Sequence, residues 1–341
     1  AFPGISPATA EDVVLLPYND PRALDILERD GETFAAVLVL VIVATAWLLA
    51  GKKGLGKMHF ALAAARELVA EAGVPQPVGQ HPDILVLTNL PKDDKEEKKR
   101  DDGKPFELAR NIKIAQIREM QRRLTTRPTL GRRRVVIVDP ADDMETGSSN
   151  ALLKSLEEPP AGTFFLLVAH RPARLLPTIR SRCRLLRFPT LDDAAIARVV
   201  ADHAPETDGA TRAAAVAAAA GSPGAAIEFV SQDLGPVDSL MREIARAGDP
   251  DFELRGKLAG EIGARPDRER MAAVLDLARA TLSRMAATAP RAALPAIVDA
   301  HADVVRLSAQ APTHNFDPGI LVMQIGGLLA SAAAASSLTD A

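Results

Sequence analysis

The chain has 341 residues, 47% of them hydrophobic, with 41 Lys and Arg against 44 Asp and Glu, which is long enough for two or three domains and a sizeable core. Its formal charge of −3 implies no global electrostatic pull on nucleic acid. The single cysteine, Cys183, excludes an intramolecular disulfide and suits the cytosol, and six scattered histidines offer no Cys/His spacing for zinc, so no metal site is expected.

In chain order, the first conspicuous segment is Phe34–Ala50, seventeen residues without a charge. Its length touches the lower limit for a membrane span. Two readings stand: a membrane anchor, or a buried first strand over Ala46–Ala50 that leads straight into a glycine loop. The second is preferred, because the flanks also lack the basic start of a secretory signal. No membrane association is expected.

Gly51, Gly54, Gly56 and Lys57 follow at the spacing of a phosphate-binding loop, with an alanine-rich helix running on to about Ala72. Small residues let consecutive N–H groups wrap a phosphate, and the lysine neutralises it. The next residue should offer a hydroxyl to Mg²⁺, but it is Met58, and a thioether is a poor ligand for a hard cation. The loop therefore reads as degenerate, a turn that keeps the fold without productive ATP binding. Weak or structural nucleotide binding is the other reading, and no cofactor is expected.

Lys92–Asp102 (KDDKEEKKRDD) is eleven charged residues with nearly cancelling signs, a solvated loop or frayed helix end. Ile117–Leu124 reads as an amphipathic helix with Arg118, Arg122 and Arg123 on its polar side, followed by Arg127 and Arg132–Arg134. Such arginines suit sequence-independent phosphate contacts, a partner surface or plain solvation. No aromatic residues interleave them to mark a base-stacking surface.

The richest stretch is Arg132–Pro189. Val135–Val138 is a short apolar run ending at Asp139, as a buried parallel strand delivers an acid to a sheet edge. A helix follows with Ala151, Leu152, Leu153 and Leu156 on its apolar side, stopped by Pro159 and Pro160. Phe164–Ala169 is a second buried strand. A proline-bounded helical turn then presents Arg180, Arg182 and Arg184 around Cys183, itself read as a small packing residue because no nucleophile dyad lies nearby. This order is the back half of a nucleotide-switch α/β domain. Beyond it, Asp192–His203, Thr211–Ala220 and Ser222–Ser231 read as three short helices, and residues 251–341 as amphipathic helices broken near Gly263–Pro266, Pro290–Pro295 and Ala311–Pro318.

These residues carry a resemblance. The segments AWLLAGKKGLGK, HPDILVL, RVVIVDPADDM, NALLKSLEEPP and LLPTIRSRCRLLR resemble, in order and spacing, the delta-prime subunits of the bacterial DNA polymerase III clamp loader, a branch of the AAA+ proteins. The glycine loop alone is a weak signal; the LLKSLEEPP and LLPTIRSRC blocks together are a strong one. The match covers most of residues 46–190, while residues 191–341 match in length and helical character alone. The resemblance implies an α/β AAA+ P-loop-type domain over residues 1–190, a small helical lid over 191–235 and an all-α C-terminal collar domain over 250–341 that holds a hetero-oligomer. It also implies a cytoplasmic protein whose partners are the motor (tau/gamma) subunits and the delta subunit, and, through the complex, primed DNA and the sliding clamp. Many relatives carry a four-cysteine zinc module after the first helix; this chain has none.

Three departures bear on function. Met58 stands where a magnesium-binding hydroxyl is expected. Pro140 stands where active relatives place a second acid after Asp139 to orient the attacking water. Gly224 stands where motor subunits carry a sensor arginine. Asp142 and Asp143 read as caps of the following turn, and His170, where active relatives offer Thr or Asn, reads as a surface histidine. By the resemblance, Arg182 of the Ser-Arg-Cys triplet is an arginine finger reaching in trans to a neighbour's ATP. The leading expectation is thus a non-motor clamp-loader subunit. A self-sufficient AAA+ ATPase of replication or repair is the alternative, and a pure scaffold is a third reading.

Overall fold

Two runs with no exposed position, RVVIV and TFFLLVA, lie side by side within the five-stranded sheet of the described residues. In the computed structural model, which describes residues 44–104, 106–311 and 316–337, the chain divides into two units. The first holds five strands: β1 (Ala46–Ala50), β2 (Ile84–Leu87), β3 (Arg134–Val138), β4 (Thr163–Ala169) and β5 (Arg184–Arg187). All pairs are parallel, in the spatial order β2-β3-β4-β1-β5. β-Branched and aromatic side chains suit strands covered on both faces. The expected first strand is therefore present at Ala46–Ala50; residues 34–43 of the apolar run lie outside the described residues.

The helices of this unit are α1 (Lys57–Val69), α2 (Asp94–Asp101), α3 (Ile114–Leu124), α4 (Thr146–Glu157) and the single turn α5 (Pro177–Arg180). Strand periodicity sorts the core into two halves. Val135 and Ile137 face Ala61, Ala64, Ala65 and Leu68 of α1. Val136 and Val138 share the other half with Ile117 and Met120 of α3 and Leu152 and Leu156 of α4. The charged run is not a loop but α2, capped by the Asp93 carboxylate, which accepts from Lys95 N and Glu96 N (both 3.0 Å). Pairs three residues apart, Lys99–Glu96 at 2.7 Å and Arg100–Glu97 at 3.0 Å, support it along its length.

The second unit comprises Lys53–Leu55 and residues from Thr190 onward. Its helices are α6 (Asp193–His203), α7 (Gly209–Ala218), α8 (Pro223–Ser231), α9 (Gly235–Ala247), α10 (Glu253–Ile262), α11 (Arg268–Thr288), α12 (Leu294–Gln310) and α13 (Pro318–Ser337). Asp192, Asp208, Ser222 and Asp267 cap four of them through side-chain acceptors. Residues expected in a lid, such as Ile196 and Phe229, share one hydrophobic core with Met241, Val274, Ile297 and Ile325 from the terminal helices. Buried Asp238 is held between Arg242 (2.8 Å) and Arg284 (2.9 Å). Helix α13 is the one helix among the described residues long and apolar enough to cross a membrane; its Leu321, Val322, Ile325 and Leu329 belong to this core.

One polar knot in the first unit fixes the approach to β3. The fully buried Asp83 carboxylate accepts from Thr129 N (2.7 Å), Leu130 N (2.8 Å) and Arg134 Nη2 (3.4 Å). Arg134 also donates to the carbonyls of Arg123, Thr126 and Arg127 at the end of α3. Burial alone would push the Asp83 carboxyl up, but the two N–H donors and Arg134 outweigh it and hold it below its ordinary value. Its contribution is therefore complete at neutral pH and is lost as pH falls through the folded-state value. Removing one partner of a buried pair costs about 3–5 kcal/mol. Asp83→Ala should lower the urea midpoint accordingly at pH 7, with the deficit shrinking in acid; an equal deficit at both pH values would show that the carboxylate charge is not what stabilises the knot.

Candidate functional site

β3, β4 and β1 are neighbours, so Asp139, His170 and Gly51 emerge side by side at one carboxyl edge. This edge is where open α/β sheets place ligands. The glycine loop leaves β1 here, with Gly51 N bonded to Ala169 O at 3.2 Å. Gly54 and Gly56 take positive φ angles of 82° and 75°, a region that side chains disfavour. Lys57 opens α1, but its side chain turns back. Its Nζ donates to Gly51 O (2.7 Å) and Lys52 O (2.5 Å), and the residue is 2% exposed. Burial pushes its ammonium down to about 8, against the attraction of Asp139 and Asp142. The cation that would neutralise a phosphate thus bonds the loop's own carbonyls. Met58 packs on the α1 side of the core, among apolar side chains.

The acid edge is equally altered. Burial raises the Asp139 carboxyl, with like charge from Asp142 and Asp143 adding and Lys57 opposing. Its Oδ1 is buried without a hydrogen-bond partner among the described residues. His170 Nε2 lies 3.9 Å away and the side chain is largely buried, so this is a histidine at the acid edge and not a surface one. Asp142 does not cap the turn that follows it. Its two oxygens accept from His170 N (2.9 Å) and Arg171 N (3.0 Å), tying the turn after β4 to the turn after β3. Asp143 accepts from Asn89 Nδ2 at 3.4 Å.

Within the second unit, Gly224 N donates to Gly54 O at 2.9 Å, and Ser222 Oγ donates to Lys53 O at 2.7 Å. A Cβ on Gly224 would stand 2.5 Å from Gly54 Cα. Gly224, where the resemblance led to an expected sensor arginine in motor subunits, is here taken up by a backbone contact that leaves no room for a side chain without a shift of Gly54.

The arginine turn is built differently. Fully buried Ile179 anchors α5, and Pro177 starts it. Arg180 and Arg184 are exposed and make no side-chain ion pair among the described residues. Arg182 donates from Nη1 to Thr178 O (2.9 Å), and its Nη2 lies 2.6 Å from Glu157 Oε1. Cys183 is half-buried, and burial pushes its thiol up to about 12, so it packs and does not attack.

The basic cluster before β3 is mostly scaffold. Arg122 pairs with Glu119 (2.7 Å), Arg123 donates to Pro82 O (3.1 Å), Arg132 lies 3.4 Å from Glu71, and Arg133 donates to Leu68 O (3.4 Å). Arg134 is buried in the Asp83 knot. Of the residues singled out for phosphate contact, Arg118 and Arg127 make no side-chain hydrogen bond or ion pair among the described residues.

Comparison with known proteins finds similarity over part of the chain. The family described as DNA polymerase III, delta subunit, matches residues 34–192. The DNA polymerase III subunit delta' of Pseudomonas aeruginosa is 34% identical over 192 residues, 53% of this chain and 54% of the relative. That of Escherichia coli is 35% identical over 156 residues, 46% and 41% of the two chains. Residues 34–192, a little under half of the chain, are similar to this family. The chain spans about half the length of the curated relatives it matches. A DNA polymerase III subunit gamma/tau of Mycobacterium tuberculosis is 31% identical over 193 residues, 55% of this chain and 32% of that one. Among solved structures, a DNA polymerase III gamma subunit-related protein of Thermotoga maritima gives a TM-score of 0.46 at 18% identity, covering 92% of this chain and 99% of that chain.

The edge of the first unit therefore brings Gly51, Lys57, Asp139 and His170 together, with Lys57 turned back onto the carbonyls of Gly51 and Lys52. Two measurements follow. Gly224→Ala should cost about 1–3 kcal/mol, because a backbone neighbour cannot swing aside. It should appear as a drop in Tm; a Tm equal to the wild type would show that the contact relaxes freely. Folded Lys57 sheds its proton near pH 8 but the unfolded chain holds it to about 10.5. Between these values the unfolded state binds more protons, so stability rises with pH. The wild type should gain on Lys57→Met as pH is raised through this window; a constant difference in urea midpoint would place the Lys57 titration at its ordinary value.

Proposed function

We propose that this chain is a non-motor, delta-prime-like subunit of a bacterial DNA polymerase III clamp loader, acting in the cytoplasm and lending Arg182 to the ATP of a neighbouring motor subunit. The reading is supported most by one contrast. The chain's own nucleotide edge is disarmed at Met58, Pro140 and Gly224, while Arg182 stands on an exposed turn with its planar fork intact. An arginine supplied in trans stabilises charge on a transferred phosphoryl group and does not need a working nucleotide site in its own subunit. The motor (tau/gamma) and delta subunits are its proposed partners. Primed DNA and the sliding clamp are reached through the complex, with Arg118 and Arg127 as the basic residues open to phosphates. Residues 1–190 serve as the switch domain, 191–235 as the lid and 250–341 as the collar that holds the hetero-oligomer.

The test is reconstitution with motor and delta subunits, followed by DNA- and clamp-stimulated ATP turnover and clamp loading. Arg182→Ala should assemble normally, since it removes little core packing, yet reduce turnover and slow loading. A finger contributes about 10³–10⁵ in rate at the site that depends on it, diluted in bulk because one motor site of several is affected. Arg182→Lys should rescue poorly, being a point charge and not a fork of donors. The isolated chain should hydrolyse no ATP above a Lys57→Ala control. Equal loading by all three chains would reduce the role to scaffold. Mg²⁺-dependent turnover by the isolated chain, lost in Lys57→Ala, would instead make it a self-sufficient ATPase.

A further inference from the structure

We propose that Glu157 is a positioning residue for Arg182, an inference that rests on the finger reading of that arginine. Glu157 is the last residue of α4, with Glu158 as its cap and two prolines beyond. An acid in the last helical turn faces the negative end of the helix dipole. It therefore needs a cation nearby, and of the three arginines on the turn it has Arg182 alone. The Nη2–Oε1 separation is 2.6 Å, short even for a charge-assisted bond.

The second bond fixes the plane. Nη1 donates to Thr178 O in α5, so the guanidinium is held from two sides by two elements. A long arginine side chain loses much rotamer freedom when it engages a phosphate. Held in this way, it has given up part of that freedom already. The tether also leaves donors unused. A guanidinium has five N–H groups. One is spent on Thr178 O, the Glu157 carboxylate is an ion-pair partner of Nη2, and the side chain remains 35% exposed, which leaves donors for a phosphoryl oxygen.

The tether is weak by construction. Glu157 is 47% exposed, and solvent-exposed pairs contribute about 0.2–1 kcal/mol, which is about 1.5- to 5-fold in an equilibrium or a rate. Loss of the carboxylate should cost that much and no more.

Two measurements on the full chain separate this inference from the reading beneath it. In the reconstituted assembly, Glu157→Ala should lower DNA-stimulated turnover about 1.5- to 5-fold at the one site that depends on Arg182, diluted in bulk as for Arg182→Ala. Glu157→Gln should fall between the wild type and Glu157→Ala, because the amide keeps the shape of the side chain but not its charge. Adding Glu157→Ala to Arg182→Ala should change nothing further. Turnover of Glu157→Ala at or above the wild type, or an additional fall in the Arg182→Ala background, overturns the positioning role. In the isolated chain, the rate of Arg182 modification by phenylglyoxal, followed by mass spectrometry, should rise in Glu157→Ala and much less in Glu157→Gln. An unchanged rate shows that Glu157 does not hold the arginine. If Arg182→Ala itself matches the wild type in turnover, the finger reading fails and the positioning role fails with it, while the phenylglyoxal rates alone decide whether the tether exists.

Discussion

The arrangement depends on the parallel register of β3, β4 and β1. Each pair is hydrogen-bonded residue for residue, Val138 beside Leu167 and Leu49 beside Val168. That register brings the ends of three strands, far apart in sequence, to one edge. Because both sheet faces are covered, a slip of one residue would send every buried side chain to the opposite face. The positions of Asp139, His170 and the glycine loop are thus consequences of core packing. They would persist whether or not any nucleotide were bound.

This separation of geometry from chemistry explains how the edge keeps its shape while its groups bond one another. Lys57 satisfies two loop carbonyls, and Asp142 satisfies two N–H groups after β4. These are internal hydrogen bonds of modest net worth each, but leaving such buried groups unpaired would be costly. Arg182 differs in kind. Its bonds lie at the periphery, where solvent competes and a phosphate can compete as well.

The strands, the helix stopped by Pro159 and the arginine turn were legible in the sequence, because apolar period and proline placement report burial and chain reversal directly. The breaks between the terminal helices were legible for the same reason. Side-chain partners were not. Asp142 binds donors 28 and 29 residues away in sequence, and nothing in its local pattern separates that role from a local cap. The arginines before β3 form a run that reads as a basic surface, yet Arg123 and Arg133 bond the far-off carbonyls of Pro82 and Leu68, and Arg134 bonds those at the end of α3. The charged run at α2 reads as a solvated loop or a frayed helix end, because i,i+3 pairs of opposite charge favour a helix only weakly and its capping by Asp93 is a matter of geometry.

The state of Cys183 has a practical side. With its thiol pushed up to about 12, only roughly one part in ten thousand is thiolate near pH 8. The chain's sole sulfhydryl is therefore nearly silent toward ordinary alkylating dyes, although it adjoins the arginine turn. A single cysteine introduced at an open position, such as Val78, which is 99% exposed, would react first and almost alone. The protein arrives with a quiet background for site-directed fluorescence, and no native residue has to be removed to obtain it.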